Sequence, residues 1–134
     1  MSPKKALEDA QVGDSIGPHR YSLTEKLARF AASNVGLDEF EVDASGSRIA
    51  PSCVTDNDYA LAWMKQFTAR EAVHTKAEHH YLSPPIIGKD LVVTGSVADR
   101  YSKRGRDFLV FETVTHDGDG REIVRSKNTL LIDL

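Results

Sequence analysis

The chain has 134 residues, enough for one domain and too few for two. With 40% hydrophobic and 28% charged residues it has the composition of a globular protein, which excludes disorder and collagen-like repeats, and no apolar run approaches the roughly 20 residues of a membrane-spanning helix. The 17 basic residues against 20 acidic ones leave a net charge of -3, too weak a field to draw nucleic acid or an anionic membrane.

The first residues, Met1 to Asp14, hold two lysines with no apolar stretch behind them. That reads as a cytoplasmic chain without a secretory signal. Val12-Gly13-Asp14 and then Gly17-Pro18 mark a turn-rich opening. Ser22-Leu23-Thr24-Glu25 has capping-box spacing, with either Ser22 or Thr24 as the cap. Leu23, Leu27, Phe30 and Ala31 then recur at three- and four-residue steps and predict a helix over 24–34 that stops at Asn34-Val35-Gly36. Residues 35–50 form an acidic irregular loop, with Phe40 and Val42 expected to pin it to the body. A second helix is predicted to run to about residue 68, capped by Thr55 with Asp58. Val54, Leu61, Trp63, Met64 and Phe67 give it a wide apolar face, so it should be largely buried.

After Ala72 the period changes to two. Val73, Thr75, Ala77, His79 and Tyr81 fall on one face, and His74, Lys76, Glu78 and His80 on the other. Ser83-Pro84-Pro85 breaks that strand. Further strands are predicted over 90–101, 108–115 and 123–132, joined by a basic turn at Ser102 to Arg106 and a turn at Asp117-Gly118-Asp119-Gly120. The sum is an α+β domain over 1–134, a meander of about four strands covering an apolar helix.

Several of these segments together resemble the MaoC-like dehydratases, a branch of the hot-dog fold that handles acyl thioesters. The resemblance lies in Val12-Gly13-Asp14 with Ser22-Leu23-Thr24-Glu25 and Phe30-Ala31, in Arg48-Ile49-Ala50-Pro51, in Leu82 to Asp90, in Lys103-Arg104-Gly105 and in Asp117 to Gly120. It spans residues 12 to 133. It implies a long central helix wrapped by a curved antiparallel sheet, a homodimer or heterodimer of such domains, and a thioester of coenzyme A or acyl carrier protein as partner. The family's loop after the first helix carries an aspartate and a histidine that activate water. In this chain those two positions hold Gly36 and Glu41.

The candidate groups follow from that substitution. Glu41 is the candidate replacement base, a carboxylate expected beside Phe40 and Leu37 with Asp38 or Asp43 near enough to pair with it, and a solvated acidic loop is the alternative. His79, on the apolar face of its strand, is either a catalytic partner beside the central helix or a core histidine bonded to a backbone carbonyl. The family resemblance implies that the backbone amides of Ser52 and Cys53, at the start of the central helix, hold the thioester oxyanion. Cys53, the one cysteine, reads as a small apolar residue and excludes an internal disulfide. Arg104 and Arg106, on the basic turn with Arg100 and Lys103, suit the phosphates of coenzyme A, or equally serve as gatekeeping charge on an exposed hairpin. The histidines lack the spacing of a metal site, and no cofactor is expected. Three functions are therefore expected of such a chain: hydro-lyase activity between enoyl and 3-hydroxyacyl thioesters, a silent subunit that pairs with an active dehydratase, or a thioesterase in which Asp56 or Asp58 positions water.

Overall fold

The computed structural model describes residues 3–133; Met1, Ser2 and Leu134, the ends of the expected domain, lie outside the described residues. Its frame is one antiparallel sheet of β1 (Ser15–Ser22), β2 (Val73–Tyr81), β3 (Asp90–Lys103), β4 (Arg106–Asp117) and β5 (Glu122–Leu131). The strand order is β1-β3-β4-β5-β2. Only β3, β4 and β5 form a meander. β2 pairs with β5 at the far edge, and residues 82–89 cross the end of the sheet to reach β3, stitched by Ala50 N–H to Pro85 O and Gly88 N–H to Leu23 O. The β3–β4 hairpin closes on Arg104 and Gly105, both at positive φ (54° and 75°), as a two-residue turn matched to strand twist requires.

The turn-rich opening is in fact strand β1. Gly17-Pro18 interrupts its pairing with β3 without ending it: the register shifts between Ile16 and His19 and then resumes. Helix α1 (Glu25–Asn34) matches its predicted span, and Thr24 is the cap, accepting from Leu27 N–H at 3.2 Å. Ser22 instead donates to Asp90, and Glu25 reaches Arg48 and Arg29, so no capping box forms. The face of α1 turned to the core is its small one, Ala28, Ala31 and Ala32.

The long central helix is not formed. Ser52–Thr55 make a 3₁₀ turn, and α2 spans only Asp58–Trp63. Asp56 and Asn57 interrupt the two, since short polar side chains favour local non-helical backbone. At the other end the Gln66 side chain accepts from Gly17 N–H at 2.8 Å and donates to Gly17 O. Phe67–Thr68 then runs parallel to Lys5–Ala6 and brings Phe67 into the core. Met64, expected on the buried face, is exposed. What survives of the rod packs on one face of the sheet through Tyr59, Ala60, Ala62 and Trp63, with Trp63 stacked on Phe111 (centroids 6.3 Å apart). A second cluster, Leu23, Ala28, Ala50, Leu91 and Ile123, fixes α1 and the loop to the sheet. In the loop Phe40 is half-buried beneath the guanidinium groups of Arg29 and Arg48, while Val42 is 60% exposed and anchors nothing. Among the described residues, no helix is long and apolar enough to cross a membrane.

Candidate functional site

Because α1 spends its alanines on the core, its large apolar side chains face outward. Phe30 is 67% exposed and Leu27 stands one turn before it. Cys53, Val54 and Leu61 lie opposite, on the segment leading into and along α2, and His19 and Tyr21 of β1 close the far side. Together they bound an open cavity of about 570 Å3 with a mainly apolar wall. Such a hollow suits an apolar ligand, and covering Phe30, more exposed than Leu27, is worth about 2 kcal/mol.

The polar groups of this cavity are concentrated at its α2 end. Asp58 is only 4% exposed. Its Oδ1 accepts from the Tyr21 hydroxyl at 2.9 Å and its Oδ2 from the Thr115 hydroxyl at 2.8 Å. Burial pushes the carboxyl up to about 7, the charge of Asp56 adds to the rise, and the two hydrogen bonds oppose it. Burial likewise raises the Tyr21 phenol, with the Asp58 charge and hydrogen bond adding, so Tyr21 stays a donor. His19 is shifted down, first by burial and then by Lys65, and its Nδ1 is buried with no partner among the described residues. A carboxyl that exchanges a proton near neutrality, inside an apolar hollow, is equipped for acid–base chemistry on a bound molecule.

The residues expected to form the site do not converge. Glu41 lies in a two-residue strand paired with Arg48–Ile49 and is exposed, as is Asp38. Glu41 lines a separate hollow with Phe40, Ser52 and Pro84. Asp43 spends its Oδ1 on Ser45 and Ser47 in a local turn. Gly36 takes φ +73° and ends α1. Ser52 and Cys53 start a 3₁₀ turn, so their amides do not stand at the head of the long helix expected there. The Cys53 thiol lines the main cavity, and burial and the Asp56 charge raise it. Arg104 and Arg106 are exposed at the hairpin tip. Arg100 serves the fold instead, donating to Glu8 O at 2.6 Å and Ala10 O at 2.9 Å.

His79 is half-buried, as its face implies, with Nδ1 2.7 Å from the Ser126 hydroxyl and Nε2 3.9 Å from Asp56 Oδ1. His74, assigned to the polar face, turns the other way. A register shift between His74 and Lys76 brings it onto Tyr59 (centroids 4.8 Å) and Asn128 (2.9 Å). Asp56, Asp58, Tyr21 and Thr115 are the groups that sequence reasoning passed over or gave a lesser role. Thr55 and Asp58 do not cap a helix: Thr55 donates to Ser52 O, and the Asp58 carboxyl points inward. One signal was available, since Asp58 shares a helix face with Ala62, four residues on, and a carboxylate on an apolar face marks a buried charge. Among the described residues, no three His, Cys, Asp or Glu side chains are grouped to hold a metal.

No protein-family model matches the chain, and no curated protein matches it by sequence. Solved structures do match. The unliganded R-hydratase of Pseudomonas aeruginosa superposes with a TM-score of 0.78 at 16% identity, over 96% of this chain and 86% of its own. The MaoC-like dehydratase of Rhodospirillum rubrum gives 0.75 at 19% identity, over 95% of both chains. A hot-dog-like protein of Thermanaerovibrio acidaminovorans gives 0.67 at 14%, over 92% and 84%. The chain has the hot-dog fold, and it shares that fold with MaoC-like dehydratases and R-hydratases.

Proposed function

We propose that this protein binds an acyl thioester with its acyl chain in the α1–α2 cavity and interconverts the enoyl and 3-hydroxyacyl forms, using Asp58 as an acid–base group. The observation that carries the reading is the raised carboxyl of Asp58 lining an apolar hollow. In the dehydration direction, protonated Asp58 gives its proton to the departing 3-hydroxyl as the C–O bond breaks. In hydration the ionised form takes a proton from the incoming water. Tyr21 and Thr115 hold the carboxyl in place through both states. Similarity to hydratases and dehydratases of the same fold supports the substrate class. The reading carries with it a cytoplasmic chain that pairs as a dimer through β2, an exposed sheet edge.

The test follows loss of absorbance of the conjugated enoyl thioester with short, long and aromatic acyl chains. Turnover that falls at least about 100-fold in Asp58→Asn is expected. Wild-type inactivity on all three classes would refute the enzyme reading. A second reading, a silent subunit that binds the thioester and pairs with an active dehydratase, is favoured by Gly36 and the exposed Glu41 at the two family catalytic positions. Co-purification with an active hot-dog chain, together with no turnover alone, would establish it.

A further inference from the structure

A second cluster of proton-bearing groups lies beside Asp58, and the function proposed above does not use it. Asp56 also lines the cavity, two residues before Asp58, but is partly exposed where Asp58 is buried. Its Oδ1 accepts from the Tyr81 hydroxyl at 2.6 Å, and His79 Nε2 stands 3.9 Å from the same oxygen. Among the described residues nothing bonds its Oδ2. Behind the ring, His79 Nδ1 meets the Ser126 hydroxyl at 2.7 Å. The arrangement follows from sheet register. His79 and Ser126 are direct partners across β2 and β5, and Tyr81 lies two residues further along β2 on the same face. The expected apolar face of β2 therefore delivers a histidine and a tyrosine to the turn before α2.

We propose that Asp56 is the second proton-transferring group of this site, and that His79, oriented by Ser126, is the positioning residue that takes up its proton. The inference rests on the acyl-thioester reading. In dehydration, the Asp56 carboxylate removes the α-proton of the 3-hydroxyacyl thioester. The C–H electron pair becomes the Cα=Cβ bond, the Cβ–O pair stays with oxygen, and that oxygen takes the Asp58 proton and leaves as water. Asp56 passes its proton through His79 Nε2 to solvent, and Asp58 regains one from solvent, so no net proton is consumed. Two carboxyls in unlike surroundings divide the acid and base roles between them. The groups facing His79 are Asp56 from the turn before α2, Tyr81 from its own strand and Ser126 from β5. The Cys53 thiol adjoins Asp56 and Tyr81.

The experiment measures kcat and KM on a conjugated enoyl thioester of coenzyme A for wild type, Asp56→Asn, His79→Gln, His79→Ala and Asp58→Asn, with thermal unfolding as the control for folding. Asp56→Asn is expected to lose about 100-fold in kcat with KM little changed. His79→Gln keeps a hydrogen bond to Ser126 but carries no exchangeable ring proton, and is expected to lose about 10-fold. His79→Ala is expected to lose as much in dilute buffer and to regain activity as imidazole is added, which a structural role would not produce. Wild-type kcat in folded Asp56→Asn, wild-type kcat in both His79 variants, or a loss in His79→Ala that imidazole leaves untouched would each overturn the inference. Turnover abolished by Asp58→Asn but indifferent to Asp56 and His79 defeats this inference alone, whereas an inactive wild type defeats it and the proposed function together.

Discussion

Replacing Asp58 with asparagine should change how stability depends on pH, and the size of the change follows from its surroundings. In the unfolded chain its carboxyl titrates near 3.8, and in the fold it is raised to about 7. Below pH 4 both states hold the proton and the group costs nothing. Between those values the unfolded chain sheds the proton while the folded one keeps it, so stability falls by about 1.4 kcal/mol per pH unit. Above pH 7 the full penalty is in place, about 4 kcal/mol for this rise. Asparagine removes the titration. Its carbonyl accepts from one of the Tyr21 and Thr115 hydroxyls, and its amide donates to the other, at a net cost of about 1 kcal/mol. Urea unfolding of both proteins at pH 5, 6, 7 and 8 isolates the effect, because every other titrating group is shared. Wild type should lose about 3 kcal/mol relative to the variant between pH 5 and pH 8, and the variant should be the more stable at pH 8. Parallel pH profiles would show that Asp58 is not raised in the fold and would remove the basis for its acid–base role.

Phe30→Lys should leave the free energy of urea unfolding within about 0.5 kcal/mol, because the side chain is exposed, yet weaken binding of a saturated long-chain acyl thioester at least about 10-fold by calorimetry. Cys53 should react with iodoacetamide at pH 8 more slowly than free cysteine, since its thiol is shifted up, and a bound acyl thioester should slow it further; an acceleration on binding would contradict the cavity's use. Gly95→Ala should cost at least about 2 kcal/mol in urea unfolding, because a Cβ there would lie 2.2 Å from Glu112 O across the β3–β4 pair.

Strand periods and turn residues made most of the sheet legible. The strand over Val73–Tyr81 and the Asp117 to Gly120 turn are local signals and lie where the sequence puts them, although the register shift after His74 breaks the alternation of faces. The order of strands is not local: nothing in β2 states that it pairs with β5 across the sheet and not with β3, its neighbour in sequence. After residue 52 an apolar period cannot distinguish a continuous helix from a 3₁₀ turn, a short α-helix and a strand that bury the same residues. Phe67 is buried as expected, though by a strand. The site was obscured for a related reason. Leu27 and Phe30 have the spacing of a core face, and only the packing of Ala28, Ala31 and Ala32 shows that they face a cavity. Asp58 has the spacing of a cap, and its inward turn depends on Tyr21 and Thr115, which are distant in sequence. Glu41 is singled out by its place in a family loop, and that loop holds it in solvent.

Where the acyl chain lies is the most direct thing to measure. Titrating isotope-labelled protein with a non-hydrolysable acyl thioester, and following amide and methyl resonances, should shift Leu27, Phe30, Leu61 and Asp58 together with a single dissociation constant. Shifts confined to Glu41, Ser52 and their hollow, or no shifts at millimolar ligand, would contradict the assignment of this cavity as the thioester site.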